Sequence, residues 1–387
     1  MTTDLKDSFT STGAKFFWHQ EAMQGLRTGK PKCVCSHLML TDICNHSCAF
    51  CSVQHREGDS LEYPDILSYL DTLMKHGLKS VILSGGGNPI LYKCKKTGAN
   101  FNDVVGAISA RKLEIGCISN GMPMALMVDR GGQARESWKA VRPDTLDKLT
   151  WLRISMAGLD HDEEEVFVPD VDPGKTTLGF SYVFHDIYDE PADKKHGKVS
   201  TQADRLTLDV TKIQPTRWGK DRLDWLLCKF VFYCKTYKPM YLRILPNCLE
   251  PELIQERVVT LQTLADQVNE SVGTEVAFVQ YKPPAAPKRC WLGYVHPVLN
   301  TDGYVYPCDS CVLNEKAGHK FEQSWRVCHW TEIGKLYERP AQSLIFNPQK
   351  QCQGCVFTKS NAILESVVVG KGEMPPPAQE PTHANFI

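Results

Sequence analysis

No stretch of eighteen continuous apolar residues occurs in this 387-residue chain, so no membrane-spanning helix is expected. The opening segment, MTTDLKDSFTSTGAKFFW, has no apolar core and does not read as a secretory signal. Neither charge sign predominates: 44 Lys and Arg against 45 Asp and Glu leave a formal net charge of -1. That balance excludes a global attraction to nucleic acid or anionic membrane, although a local basic patch remains compatible with it. These absences point to a cytoplasmic chain with no membrane partner. Its length suffices for one large core or two unequal ones.

Cysteine, by contrast, is abundant, with sixteen residues. A disulfide scaffold concentrates cysteine in a short exported chain, which this is not. Scattered members such as Cys117 and Cys228 read as small buried hydrophobes. Those clustered at 44–51 and 290–355 read as metal ligands in a reducing compartment.

From about residue 38 the pattern alternates between strand and helix. Strands are expected at HLMLTD, SVILSG, LEIGCISNG, WLRIS, TLGFSYVFH and MYLRILPN. Helices are expected at PDILSYLDTLMKHGL, with Pro64 near its start, at FNDVVGAISARK, and over 219–237 and 251–269. Six β-branched, apolar strands alternating with helices predict a parallel sheet covered by helices, with chemistry in the loops after the strands. The organisation expected is a leader at 1–37, with KFFWHQEAMQGLRTGK as one short helix, and a main domain at 38–250. A helix–strand connection at 251–289, ending in the strand VAFVQY, leads to a cysteine-rich module at 290–356. A C-terminal segment, 357–387, is expected to be disordered after about 370 on its proline and polar content.

The first post-strand loop contains CNHSCAFC, with Cys44, Cys48 and Cys51. Three thiolates hold three corners of a [4Fe–4S] cube and leave one iron open, as catalytic zinc sites leave a position open. The alternatives are a zinc knuckle borrowing His46 or His55, and a fortuitous cluster.

The spacing C-x3-C-x-aromatic-C, carried by Cys44, Cys48, Phe50 and Cys51, resembles the signature of the radical S-adenosylmethionine (SAM) enzymes. The resemblance covers about 38–250 and implies a partial (β/α)6 TIM-like barrel. It implies that the open iron takes the amino and carboxylate groups of SAM. One electron, from a reductant such as flavodoxin or ferredoxin, then yields methionine and a 5′-deoxyadenosyl radical that abstracts a substrate hydrogen. Phe50 would lie near the adenine. Ser84-Gly85-Gly86-Gly87-Asn88-Pro89 stands where the family has its GGE motif, with Gly87 in place of the Glu and Asn88 as a substitute contact. Ser119-Asn120-Gly121 is similar to the family's T-N-G near the ribose. Arg153 and Ser155 are similar to its R-x-S, which implies contacts with the SAM carboxylate and ribose.

In the second module, Cys290-x12-Gly303-x4-Cys308 is followed after forty-three residues by Cys352-x2-Cys355. NTDG before YVYPC predicts a tight turn between short strands. The pattern resembles the SPASM and shorter twitch domains of radical SAM enzymes. It implies one auxiliary [4Fe–4S] cluster, on Cys290, Cys308, Cys352 and Cys355, assisting electron transfer. No cysteine follows Cys355, so a second auxiliary cluster is not expected. A three-thiolate site on Cys308, Cys311 and Cys328 and a structural zinc on the four cysteines remain as alternatives.

The expected function is hydrogen abstraction leading to oxidation or rearrangement of a small molecule or modified nucleotide. Modification of a peptide (RiPP maturation) or of a nucleic-acid base is the alternative, and a non-catalytic iron–sulfur scaffold the third. Asp160, Asp186, Tyr241 and Arg243 lie near strand ends as candidates for a base. Lys212, Arg217, Lys220, Arg222, Lys229, Lys235, Lys238 and Arg243, interleaved with Trp218 and Trp225, mark either a solvated helix or a phosphate-binding patch. The acidic insert at 160–172 lacks EF-hand spacing.

Overall fold

The structure, a computed structural model, describes residues 5–10, 13–121, 127–128, 134–135, 141–161, 164–185, 221–281, 285–313, 320–352, 355–370 and 380–387. Six strands follow one another across a parallel sheet in chain order. They are β1 (Cys35–Leu38), β2 (Ser80–Leu83), β3 (Glu114–Ser119), β6 (Trp151–Ser155), β7 (Thr177–Phe184) and β8 (Tyr241–Pro246). A two-residue ribbon, β4 (Met127–Val128) with β5 (Ala134–Arg135), interrupts the sequence but not the sheet. Because each strand joins the edge left by its predecessor, right-handed crossovers place every connecting helix on the same face. This is the partial barrel expected, and β9 (Ala277–Val279) extends it in parallel at the β8 edge.

Helices α3 (Tyr63–Lys75), α4 (Phe101–Ala110), α6 (Arg222–Tyr237) and α7 (Ile254–Val272) cover that outer face. Leu70, Leu73, Val104, Ile108, Leu226, Phe230, Leu261 and Leu264 pack there against Leu38, Val81, Ile115, Leu152, Phe180 and Ile244. The short α5 (Pro143–Leu146) precedes β6. Pro64 sits in the first turn of α3, where its missing N–H costs no hydrogen bond. Asn100 and Asp103 form a capping box on α4.

The opposite, inner face is covered differently from expectation. The leader is not one helix: α1 (Leu5–Phe9), a 3-10 turn over Gly13–Trp18 and α2 (Gln20–Arg27) form three pieces. His19, at φ -98 and ψ 57, separates the last two. Phe16, Met23 and Leu26 bury against Trp151, Cys35 and Met39 of the inner face. The expectation of a disordered tail is corrected for residues 380–387. Ile387 and Phe386 are buried in the same inner core, the Ala384 carbonyl accepts from His19, and the Asn385 carbonyl accepts from Ser80. The polar, proline-bearing composition hid an apolar Phe-Ile end that inner-face side chains receive. Residues 371–379 lie outside the described residues.

The cysteine-rich segment also joins the main sheet. The strand β10 (Val298–Leu299) pairs in parallel with β1, on the edge opposite β9. The strands β11 (Tyr304–Tyr306) and β12 (Cys328–His329) follow antiparallel, and Gly303 supplies φ +77 in the turn before β11. Around them lie α8 (Leu292–Val295), α9 (Ile333–Glu338), α10 (Pro348–Gln351) and α11 (Thr358–Val369). No helix among the described residues is long and apolar enough to cross a membrane.

Two glycines shape the inner layer. A Cβ at Gly116 would lie 2.0 Å from the Trp151 ring, and one at Gly179 would lie 2.1 Å from the Tyr241 ring. Each large ring thus lies flat across the strand beside it.

Candidate iron–sulfur site

The loop after β1 leaves the sheet and returns through a bridge between Thr41 and Ser60, which closes its neck. Ser60 Oγ donates to Thr41 Oγ1 at 2.9 Å, and the Asp42 N–H donates to the Asp59 carbonyl at 3.0 Å. Cys44, Cys48 and Cys51 all lie on this loop, half-buried. The Cys51 N–H donates to the Cys48 carbonyl at 3.1 Å, making the turn that turns both thiols toward one region.

Two side chains that sequence reasoning did not assign touch these thiols. Arg56 Nη2 donates to Cys51 Sγ at 3.0 Å, while its Nε and Nη1 donate to the carbonyls of Val53 and His46. Burial opposes the Arg56 charge, but the negative charge of Cys51 and Cys44 outweighs it and holds the guanidinium above its ordinary range. His161, just after β6, places Nε2 at 3.3 Å from Cys48 Sγ and its ring 4.2 Å from that of His46. Burial first, and then the charges of Cys51 and Cys44, push the Cys48 thiol up to about 12. A positive metal centre reverses that repulsion, so the donor set fits an iron cluster that replaces the protons. His46, Cys48 and His161 also lie within 4.8 Å of one another, the geometry of a small mixed-ligand site.

The glycines after β2 serve this loop. Gly85 and Gly86 adopt φ +80 and +63, and a Cβ at Gly87 would lie 2.0 Å from the Ile43 carbonyl oxygen. The Gly87 N–H donates to the Thr41 carbonyl at 2.8 Å, and the Asn88 N–H to the Ile43 carbonyl at 2.9 Å. The close backbone approach that glycine permits is therefore made to the chain's own segment leading into Cys44. Asn88 is buried, and its amide donates to Asn120 Oδ1 at 2.8 Å and Asn45 Oδ1 at 3.2 Å. Its oxygen accepts from Ser119 Oγ at 2.9 Å. Asn120 in turn donates to Asn45 at 3.1 Å. One amide network thus ties together the loops after β1, β2 and β3.

Phe50 packs at a tilt against His185, just past the end of β7, with ring centroids 5.1 Å apart. Arg153 does not turn toward the cysteines: Nε donates to Tyr241 Oη at 2.9 Å and Nη2 to the Phe9 carbonyl at 3.1 Å. Its guanidinium also lies over the Trp151 and Tyr241 rings, so it is part of the inner packing. Ser155 lies one residue pair further along β6. Asp160 is buried in a pair with Arg222 at 2.8 Å and accepts from Tyr182 Oη at 2.8 Å, which gives it a scaffolding role. Asp186, Lys212, Arg217, Trp218 and Lys220 lie outside the described residues.

Cys290, Cys308, Cys352 and Cys355 lie close enough for their charges to interact. All four are buried in the inner core. Burial, followed by the charges of Cys308, Cys352 and Cys355, raises the Cys290 thiol well above its ordinary range. A fifth thiol, Cys311, joins them. Its Sγ lies 4.0 Å from Cys308 Sγ, and its hydrogen bond draws the Cys308 thiol below its ordinary value. Cys328 does not join. It packs against the outer core, on the other face of the sheet from Cys308 and Cys311, so the alternative trio of Cys308, Cys311 and Cys328 is ruled out by topology. All sixteen cysteines are free of disulfides.

No protein-family model matches the chain, and no curated protein matches it either. Solved structures similar to it include Streptococcus suis SuiB bound to precursor peptide SuiA, 11% identical at a TM-score of 0.46, over 87% of this chain and 72% of that one. BtrN in complex with AdoMet and 2-DOIA is 12% identical at a TM-score of 0.38, over 89% of this chain and 91% of that one. The protein anSMEcpe with bound AdoMet and Cp18Cys peptide is 13% identical at a TM-score of 0.42, over 87% and 99%. Likeness of this size adds nothing to the reading of the site, which rests on this chain's own residues.

Proposed function

We propose that the chain is a radical SAM enzyme that abstracts a hydrogen atom from a small molecule or modified nucleotide, leading to its oxidation or rearrangement. The observation that carries this reading is the three-thiol loop, Cys44-x3-Cys48-x-Phe50-Cys51, at the C-terminal end of the first strand of a singly wound parallel sheet. Three cysteine ligands leave one corner of a [4Fe–4S] cluster free for SAM, and the pair supplies one-electron cleavage of the sulfonium and a carbon radical.

The chain's own residues provide the setting. Arg56 and His161 stand beside the ligand sulfurs, where hydrogen bonds tune a cluster's potential. The amide network of Asn45, Asn88 and Asn120 fixes the loop against its neighbours. Phe50 and His185 offer an aromatic wall for the adenine. On this reading Cys290, Cys308, Cys352 and Cys355 hold an auxiliary [4Fe–4S] cluster that moves an electron, with Cys311 adjacent. Flavodoxin or ferredoxin is the class of reductant expected.

Anaerobic reconstitution followed by iron analysis and SAM-cleavage assay tests this. The expected result is about eight irons per chain, from two four-iron clusters, and formation of 5′-deoxyadenosine under reductant. Replacing Cys44, Cys48 and Cys51 together by Ala should abolish cleavage, and persistence of cleavage sinks the proposal. Cys290→Ala or Cys352→Ala should remove about half the iron while the first cluster stays visible by electron paramagnetic resonance. Unchanged iron, or zinc in its place, overturns the auxiliary assignment.

A further inference from the structure

The inner face carries a polar register that the packing of the barrel leaves unneutralised. Ser155 of β6 pairs with Ser181 of β7, and Ser181 with Arg243 of β8. Their neighbours Ile154, Phe180, Tyr182, Leu242 and Ile244 pack in the outer core, so alternation points these three inward. Ser155 is the last residue of β6, and the pairing sets Ser181, within β7, and Arg243, within β8, level with it across the sheet.

Arg243 is incompletely satisfied. Its Nη1 donates to Gln280 Oε1 at 2.8 Å, whereas its Nε is buried with no partner among the described residues. Burial, and next the like charge of Arg153, pull its ionisation well below the arginine range. Its opposing charge is Asp309, which also stands 3.9 Å from His37 Nδ1 and is shared between the two. Arginine keeps its proton in proteins, so this is a half-buried cation, its Nε fully enclosed, with little counter-charge beside it. Arg153, one layer away, has the Tyr241 hydroxyl and the Phe9 carbonyl and is not in this condition.

We infer that Arg243 and Ser181 form a substrate subsite for an oxyanion, a carboxylate or a phosphate. The Nε edge of the guanidinium receives it in a two-point contact, and the Ser181 hydroxyl donates from the neighbouring strand. Gln280 is the positioning residue that holds the fork in plane. This inference rests on the radical SAM reading and gives its substrate an acidic group. Asp309, next to Cys308 in the chain, places the subsite beside the auxiliary cysteines.

The test uses inorganic phosphate and acetate as probes on the reconstituted protein. Thermal unfolding is followed with each anion, with and without SAM, and SAM affinity is measured separately. The wild-type protein should be stabilised saturably by at least one of the two. Response to acetate alone marks a carboxylate-bearing substrate, and to phosphate alone a phosphorylated one. Arg243→Met should abolish the response while leaving the SAM dissociation constant within about twofold. Arg243→Lys should retain a response weakened on the order of tenfold, since a point charge cannot reproduce the fork. Should Arg243→Met fail to fold, Ser181→Ala removes one donor and should weaken the response without loss of fold. No saturable response in the wild type overturns the inference, as does an equal response in Arg243→Met. A tenfold loss of SAM affinity in that variant also overturns it, by assigning the arginine to the SAM carboxylate. If the wild type binds anion through Arg243 but never binds SAM, the radical SAM reading fails and the anion site stands.

Discussion

Replacing Gly87 by Ala adds a single methyl group where the loop after β2 presses on the loop that carries the first three cysteines. The new Cβ would sit 2.0 Å from the Ile43 carbonyl oxygen, 2.4 Å from the Ile43 carbonyl carbon and 2.5 Å from that of Asp42. All three are backbone atoms, so no side-chain rotation relieves the clash. Against a closest tolerable approach of 3.0 Å, the cysteine segment must retreat by 3.0 minus 2.0, or 1.0 Å. The Gly87–Thr41 and Asn88–Ile43 hydrogen bonds, at 2.8 and 2.9 Å, then open. Two net hydrogen bonds of about 1 kcal/mol each and an overpacking cost of about 1–3 kcal/mol give roughly 3–5 kcal/mol against the native loop position. At 1.4 kcal/mol per decade this is more than about a hundredfold loss of the cluster-competent loop. Iron content and paramagnetic resonance after reconstitution should show the first cluster lost and the second retained. Gly106→Ala in α4, where nothing lies within 4 Å of the new Cβ, is the control and should be neutral or stabilising by up to ~1 kcal/mol. First-site iron at the wild-type level in Gly87→Ala would refute the reasoning.

Arg56→Met removes both a cation and an N–H donor from Cys51 and should lower the midpoint potential of the first cluster, because both favour the more negative, reduced state. Potentiometric titration reads this, and an unchanged or higher potential contradicts it. Phe386→Ala deletes a ring that packs edge-on against Trp151 at 5.3 Å and should destabilise the fold by about 3–5 kcal/mol in urea unfolding. A loss below about 1 kcal/mol would contradict the buried tail. His19 is held near a pKa of about 4, down from 6.5, chiefly by burial, with the Ala384 carbonyl acting the other way. The unfolded chain therefore takes up this proton first, and stability falls as pH drops from 6.5 toward 4, by roughly 3 kcal/mol in total. His19→Gln should flatten that slope, and an unchanged slope would show that other groups set it.

The sheet was legible because its strands are short apolar runs bounded by glycine, proline and polar turns, and those signals are local. WLRIS matches β6 residue for residue, whereas HLMLTD runs four residues past β1, because apolar character continues into the loop that leaves the sheet. The cysteine loop was legible from spacing alone. The inner face was not: what fills it comes from both ends of the chain, and neither carries a periodic pattern. Phe9 stacks on Tyr241 at 4.6 Å, and Ile387 is 1% exposed, contacts that link residues hundreds of positions apart. Arg153 illustrates the same limit, since a strand-end arginine reads as a ligand contact until Tyr241 and Phe9 are seen to hold it. Arg56 lies only five residues beyond Cys51, yet no pattern distinguishes it from any other polar loop residue. The distinction between Cys311 and Cys328 required knowing which face of the sheet each one meets.

The paired arrangement of Gly116 under Trp151 and Gly179 under Tyr241 has a consequence for how this sequence can drift. Each glycine is the mould of its neighbour's ring, so the inner wall stores volume in couples rather than in single positions. A change to alanine or serine at 116 or 179 becomes tolerable only after the facing aromatic shrinks. A smaller residue at 151 or 241 in turn opens a void that a side chain at the glycine position can refill. At these four positions substitutions should therefore arrive in compensating twos, and Tyr241 should resist replacement longest, because its hydroxyl also accepts the Arg153 hydrogen bond.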